Sequence, residues 1–279
     1  MISLGSTRIG VIGLGQIGGS LARAIKLRSL GELVSGFDID SELQREALKA
    51  GVIDHSAKDA ADLIKLSEIV ILATPIAGIM ELLEDHAETL KKKRLVTDTG
   101  SLKTEIMSLA GSHGLDNFVG AHPLAGTEKR GAAAWDGNLF AGANYFYTEQ
   151  ESQEPRAVEL LLKLLRSIDA VPMPVTTAAH DAVFATTSNL PHLFAYCLRH
   201  VYDGLESEGA DKHDFVCPSF YGATRISASD PEMVFQMLWY NRANLARSLA
   251  TLRDKLDAAQ EALDSADQNA FRQIFDLEK

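Results

Sequence analysis

The sequence predicts an α/β fold, a doubly wound and mostly parallel sheet, followed by an all-helical C-terminal domain. Three observations carry that reading. Short apolar runs recur at βαβ spacing, helical patterns fill the gaps between them, and after about Val175 the strand patterns stop and long helical ones take over. The 279 residues, 46% hydrophobic and 23% charged, suffice for one large or two modest domains and exclude a disulfide-stapled miniprotein or a disordered tail. The break near Val175 divides them into 1–175 and 176–279.

The first strand is read over Arg8-Ile9-Gly10-Val11-Ile12 and is followed by Ile17, Leu21, Ala24 and Ile25 on one helical face. Leu33-Val34-Ser35-Gly36-Phe37 and Ile69-Val70-Ile71-Leu72-Ala73 are the second and third clear strands. Leu95-Val96-Thr97, Phe118-Val119-Gly120, Asn144-Tyr145-Phe146-Tyr147 and Ala170-Val171-Pro172-Met173 are further strand candidates, the last with a proline that suits a sheet edge. Helical patterns then run from Ala178 to about Tyr202 and from Pro231 to about Ala266. In the final stretch Leu245, Leu249, Leu252, Leu256 and Leu263 recur at heptad-like intervals, either as the inner face of an amphipathic helix or as a subunit interface.

The formal net charge of −11 argues against nucleic acid and anionic membranes as partners. The longest basic run, Lys91-Lys92-Lys93-Arg94, reads as a polar loop entering a strand. Cys197 and Cys217 match no metal-ligand or redox spacing, which predicts free thiols in a reducing compartment. No leader or apolar run of membrane-spanning length is evident, so a cytoplasmic protein is expected. His55, His86, His113, His200 and His213 show no clustering, and no metal is expected.

Gly13-Leu14-Gly15-Gln16-Ile17-Gly18 follows the first strand and opens the first helix. Such a pattern is weak by itself, but its context makes it a dinucleotide fingerprint of Rossmann type: Gly13 allows the tight turn, Gly15 the approach of a pyrophosphate, and Gly18 close helix–strand packing. Asp38, 20 residues beyond Gly18, ends the second strand. A carboxylate there accepts from ribose hydroxyls and repels a 2′-phosphate, predicting NAD as the cofactor. Asp40 is a second carboxylate able to share that role, and a solvated turn is the plain alternative for Asp38. Thr74-Pro75 ends the third clear strand where an open α/β sheet places its ligand crevice, or is an ordinary turn.

Three polar clusters lie behind this fingerprint: Thr97-Asp98-Thr99-Gly100-Ser101-Leu102-Lys103, Gly120-Ala121-His122-Pro123-Leu124-Ala125-Gly126-Thr127-Glu128, and Thr187-Ser188-Asn189-Leu190-Pro191-His192, the last interrupting the first helix of the second domain. His122 is able to take a proton near neutral pH, or is a buried histidine bonded to a backbone carbonyl. Ser101 is a hydrogen-bonding neighbour or the N-cap of the helix begun by Lys103-Thr104-Glu105. Arg225 is able to grip a carboxylate bidentately, or forms a surface ion pair.

In this order, and followed by Gly222-Ala223-Thr224-Arg225-Ile226-Ser227-Ala228-Ser229-Asp230-Pro231, these clusters resemble the prephenate/arogenate (cyclohexadienyl) dehydrogenase family of tyrosine biosynthesis, from Gly13 to about Pro231. The resemblance implies an oxidoreductase performing an NAD-dependent oxidative decarboxylation: hydride leaves ring C4 of a cyclohexadienol, the C4 hydroxyl loses its proton, and the C1 carboxylate departs as carbon dioxide. It implies His122 as the proton acceptor with Ser101 beside it, Arg225 as the carboxylate anchor, and His192, Ser188 and His180 as further substrate contacts. His180-Asp181 is alternatively a helix-start pair, and Glu128 is a pocket-rim residue or a solvated acid. Gly13, Gly15, Gln16, Ile17, Gly18, Asp38, Thr74 and Pro75 are the expected cofactor contacts. The resemblance also implies a homodimer through a helical domain that binds the substrate.

In one place the chain departs from the family pattern. Many members read Ser-His-Leu-Pro-His where this chain has Ser188-Asn189-Leu190-Pro191-His192, which opens the choice between the keto acid prephenate and the amino acid arogenate. Another two-domain NAD(P) oxidoreductase, of β-hydroxyacid dehydrogenase or imine reductase type, is the competing enzyme. The former wants a catalytic lysine with an asparagine about four residues later, and Lys212 has Val216 at that place. A non-catalytic NAD-sensing protein is the third reading, and it lacks a basic helix for a nucleic-acid partner.

Overall fold

The computed structural model describes residues 5–126, 131–149, 153–206 and 211–275. Its strands are β1 (Arg8–Ile12), β2 (Leu33–Phe37), β3 (His55–Ser56), β4 (Ile69–Leu72), β5 (Leu95–Asp98), β6 (Phe118–Val119), β7 (Ala121–Pro123), β8 (Asn144–Thr148) and β9 (Val171–Val175). The helices interleaved with them are α1 (Gln16–Leu27), α2 (Ser41–Lys49), α3 (Ala60–Leu66), α4 (Ile76–Leu90), α5 (Thr104–Ser112) and α6 (Pro155–Ser167). After the last strand come α7 (Thr177–Phe184), a π-helical turn (Ala185–Asn189), α8 (Leu190–Asp203), α9 (Pro218–Thr224), α10 (Pro231–Tyr240), α11 (Arg242–Asp264) and α12 (Gln268–Gln273). The chain forms two compact units, Met1–His180 and Asp181–Lys279, with the boundary inside α7.

In the first unit six parallel strands take the order β3-β2-β1-β4-β5-β6. Helices cover both faces of such a sheet, so its central strands are continuous apolar runs: Ile69, Val70, Ile71 and Leu72 of β4 are all buried. The order reverses between β1 and β4, and an open α/β sheet binds its ligands beyond the carboxyl ends of that pair. On α6, Leu160, Leu161, Leu164 and Leu165 recur at one-face spacing and join Ile9, Val11, Ile71 and Val119 in the core.

At Gly120 the chain leaves this sheet for a smaller one, ordered β7-β8-β9. A Cβ at Gly120 would lie 2.6 Å from the Met107 sulfur, so a larger residue there would have to displace the Met107 side chain. The β7–β8 pair is antiparallel and the β8–β9 pair parallel, which leaves β9, with Pro172 and Pro174, at the edge expected of a proline-bearing strand.

In the second unit the segment Thr187–His192 does not break the helix. The chain widens instead to a π-turn, in which Leu190 N donates to Ala185 O, and continues into α8 with Pro191 in its first turn. Asp230 caps α10 by accepting from Glu232 N and Met233 N, each at 3.0 Å.

Candidate active site

The cofactor end is built at the carboxyl end of β1. Gly13 has φ +90°, and a Cβ on it would meet the Ala73 carbonyl at 2.5 Å; a Cβ on Gly18 would meet the Gly13 carbonyl at 1.9 Å. Both glycines are therefore required by the backbone itself. Gly15 differs, since a Cβ there would enter open space. Gly15 is also the N-cap of α1, without a side-chain cap and without an acidic residue in the first turn. An uncapped helix N-terminus beside an open glycine is what a pyrophosphate needs, so these residues fit a dinucleotide.

Asp38 and Asp40 have different surroundings. Asp38 closes on the glycine loop, accepting from Leu14 N at 2.6 Å and from Asp40 N at 2.9 Å. The Asp40 carboxylate caps α2, accepting from Glu42 N at 2.9 Å and Leu43 N at 3.3 Å. Thr74 and Pro75 follow β4, the neighbour of β1 at the reversal, and Pro75 is the N-cap of α4. Gln16 and Ile17 begin α1.

His122 lies in the middle of β7, opposite Phe146 of β8, and is buried. Its Nδ1 is 2.9 Å from Nε2 of His180, which is itself only 1% exposed. The Phe146 ring meets the His180 ring edge-on at 6.1 Å. His180 does not start a helix: Thr176 does so, with Ala179 N donating to its hydroxyl, and His180 lies inside α7. Nor is Ser101 a helix cap, because α5 starts at Thr104 with Lys103 as its N-cap. Ser101 sits half-buried in the turn between β5 and α5.

Beneath the β7 strand a buried ion pair joins Asp98 and Lys103. Burial and the Asp98 carboxylate together push the phenol of Tyr145, on the adjoining β8, well above its ordinary range.

In the second unit His192 Nδ1 lies 2.9 Å from the Ser188 carbonyl, one helical turn back. The Ser188 hydroxyl faces the Met237 sulfur at 3.8 Å. Arg225 is exposed at the head of the short 3-10 turn Arg225–Ala228. Asn189, by contrast, is buried and hydrogen-bonded to Asn241. Glu128 lies outside the described residues.

Two family models match this chain, the prephenate dehydrogenase nucleotide-binding domain over residues 21–173 and the prephenate dehydrogenase dimerization domain over residues 176–277. The chain belongs to the prephenate dehydrogenase family. Prephenate dehydrogenase of Bacillus subtilis (strain 168) is 33% identical over 264 residues, spanning 93% of this chain and 71% of its own. The crystal structure of prephenate dehydrogenase from A. aeolicus, in complex with hydroxyphenyl propionate and NAD+, superposes with a TM-score of 0.89 at 26% identity, over 98% of this chain and 96% of that one. Synechocystis arogenate dehydrogenase superposes with a TM-score of 0.79 at 28% identity, over 96% of this chain and 95% of that one.

Membership of the prephenate dehydrogenase family does not by itself draw attention to every residue that shapes the site. Trp135 donates from Nε1 to the carbonyl of Leu14 at 2.8 Å, and a Cβ on Gly19 would collide with its ring, so this tryptophan buttresses the glycine loop. Its only mark in the sequence is that it is one of two tryptophans. Asp98 and Lys103 stand in a polar cluster, but nothing in their spacing announces a buried pair. Among the described residues no group of histidine, cysteine and carboxylate side chains is arranged to hold a metal, and no helix is long and apolar enough to cross a membrane.

Proposed function

We propose that this member of the prephenate dehydrogenase family oxidatively decarboxylates prephenate to 4-hydroxyphenylpyruvate, arogenate to tyrosine, or both, with NAD. The observation that carries the proposal is His122, buried on β7 with its Nδ1 fixed against His180, in the same unit as the glycine loop.

Bound NAD supplies the hydride acceptor for ring C4. Gly13, Gly15, Gln16, Ile17 and Gly18 would form the loop that receives its pyrophosphate, Asp38 would hold its ribose, and Thr74 and Pro75 would border it. When His122 carries its proton on Nδ1, directed to His180, the lone pair lies on Nε2 and takes the C4 hydroxyl proton as the C4–H pair leaves. Ser101 hydrogen-bonds beside this nitrogen. The electrons of the C1–carboxylate bond enter the ring as carbon dioxide departs, and aromatisation makes the step effectively irreversible. Arg225 anchors a carboxylate bidentately, a task suited to a guanidinium in a chain of net charge −11. His192 and Ser188 add polar contacts, and retention of His192 favours prephenate.

Residues 1–175 serve as the NAD-binding domain and 176–279 as the substrate-binding and dimerisation domain. A homodimer is supported by the apolar side chains left exposed on the helical unit, among them Phe235, Trp239, Leu249, Leu256 and Leu263. The leucine stripe of α11 is thus mostly an outer face, with only Leu245 buried. A biosynthetic enzyme of this kind works in the cytoplasm.

The test is an NADH absorbance assay of the purified protein with NAD and either prephenate or arogenate. Turnover of at least one is expected, and silence with both overturns the proposal.

A further inference from the structure

We infer that the buried Asp98–Lys103 ion pair is a clamp that sets the position of His122, making both of its members positioning residues for proton transfer. The inference rests on the reading of His122 as the proton acceptor.

The β7–β8 ladder explains why a clamp is needed. Thr148 N donates to Gly120 O and Leu124 N to Asn144 O, each at 2.9 Å, so the rungs of this antiparallel pair fall on even-numbered residues of β7. In such a ladder the intervening residue turns its N–H and C=O away from the partner strand. Ala121 is that residue, and it is fully buried at the point where the chain has just left the parallel sheet. Among the described residues no strand is aligned to take its N–H and C=O, and a buried backbone group without a partner is costly.

The ion pair supplies both partners. Asp98 Oδ1 accepts from Ala121 N at 2.9 Å, and Lys103 Nζ donates to Ala121 O at 2.8 Å. Between them, Lys103 Nζ donates to Asp98 Oδ2, which also accepts from Gly100 N at 2.9 Å. The side chains are 0% and 1% exposed. The β5–α5 turn, which carries Ser101, and the strand that carries His122 are thereby tied at the residue before the histidine.

Stability alone is a poor reason for this arrangement. A buried ion pair loses much of its Coulomb gain to desolvation, and well-packed apolar side chains often do as well or better. What apolar side chains do not provide is a donor and an acceptor at fixed points on the backbone of Ala121. His122 follows immediately, and proton transfer is sensitive to misplacement on the scale of an ångström.

The test compares Lys103→Met, the double variant Asp98→Asn/Lys103→Gln and His122→Asn, reading kcat on whichever substrate the wild type turns over, the NAD dissociation constant, and the melting curve. Lys103→Met removes the donor to Ala121 O and leaves the buried Asp98 carboxylate without its counter-ion, and kcat is expected to fall about 30-fold or more while NAD affinity stays within about 3-fold. The double variant keeps neutral hydrogen-bond partners on both Ala121 groups, so its kcat recovers to within about 10-fold of the wild type. If Lys103→Met does not fold, Asp98→Asn alone replaces it, because a single amide oxygen cannot accept from Ala121 N, Gly100 N and Lys103 Nζ as the two carboxylate oxygens do.

A folded single variant that keeps its kcat while His122→Asn is silent overturns the clamp and leaves the role of His122 standing. A kcat loss matched by an equal loss of NAD affinity also overturns it, since that is general loosening of the unit. Full activity in His122→Asn overturns instead the reading on which the clamp rests.

Discussion

The side-chain amide of Asn241 donates to Asn189 Oδ1 at 2.7 Å and, from the same nitrogen, to the main-chain carbonyl of Asp181 at 2.8 Å. Asn244 Nδ2 in turn donates to Asn241 Oδ1 at 2.8 Å. Asn189 is the residue that stands where many relatives have histidine, and its oxygen is engaged inside the helical unit, at 1% exposure. Asn189 therefore braces the π-turn that carries Ser188, and it is expected to have little part in the choice between prephenate and arogenate. Asn241→Leu is expected to lower stability by about 1–3 kcal/mol, because two buried acceptors lose their donor. Asn189→Ala is expected to change the prephenate-to-arogenate ratio of kcat/KM by less than about 3-fold. A ten-fold change in that ratio would return Asn189 to the specificity determinants.

The two carboxylates after β2 divide their work, because the Asp40 side chain is committed to the first turn of α2 while Asp38 faces the glycine loop. Asp38→Ser is expected to narrow the NAD over NADP preference by about 10-fold or more, removing both an acceptor for ribose and a charge that repels a 2′-phosphate. Asp40→Asn keeps a capping oxygen and is expected to leave the preference alone. Kd values for both dinucleotides check this, and a larger effect at position 40 would reverse the assignment.

What the sequence revealed of the fold depended on how each segment is buried. β1, β2, β4 and β5 are enclosed on both faces, so their apolar runs stand out without any partner being known. His55–Ser56 and Ala121–Pro123 are too short for a period to register, although the second carries His122. The polar cluster Thr187–His192 reads as an interruption of its helix, whereas the chain stays helical through it by widening at Ala185–Asn189, which accommodates the missing N–H of Pro191. The motif residues of the site were visible because their chemistry is local to the motif. The supports were not: Lys103 reaches Ala121, 18 residues away, and Asn241 reaches Asn189 across 52. Such contacts arise only when separate segments of the chain are folded against each other.

The loop ahead of β3 offers a test of acid stability outside the site. Asp54 accepts from Lys26 Nζ and from Val34 N, the latter at 2.9 Å, tying α1 and β2 to this loop. Burial raises its pKa, but the hydrogen bond from Lys26, the Val34 amide and the Lys26 charge outweigh that, and the group sits below its ordinary value of 3.8. A carboxyl with a depressed folded-state pKa contributes stability that is complete above its unfolded value and is lost as pH falls through the folded one. The site is exposed, so screening limits the contribution to about 0.5–1 kcal/mol. Asp54→Asn does not titrate and lacks the charge. It is expected to melt below the wild type at pH 7, and the gap is expected to close as the pH is lowered below about 3.8, where the wild-type carboxyl takes up its proton. Thermal melts of both proteins at pH 7, 5 and 3 measure the gap, and one that stays constant across that range would mean the Lys26–Asp54 pair adds nothing to stability.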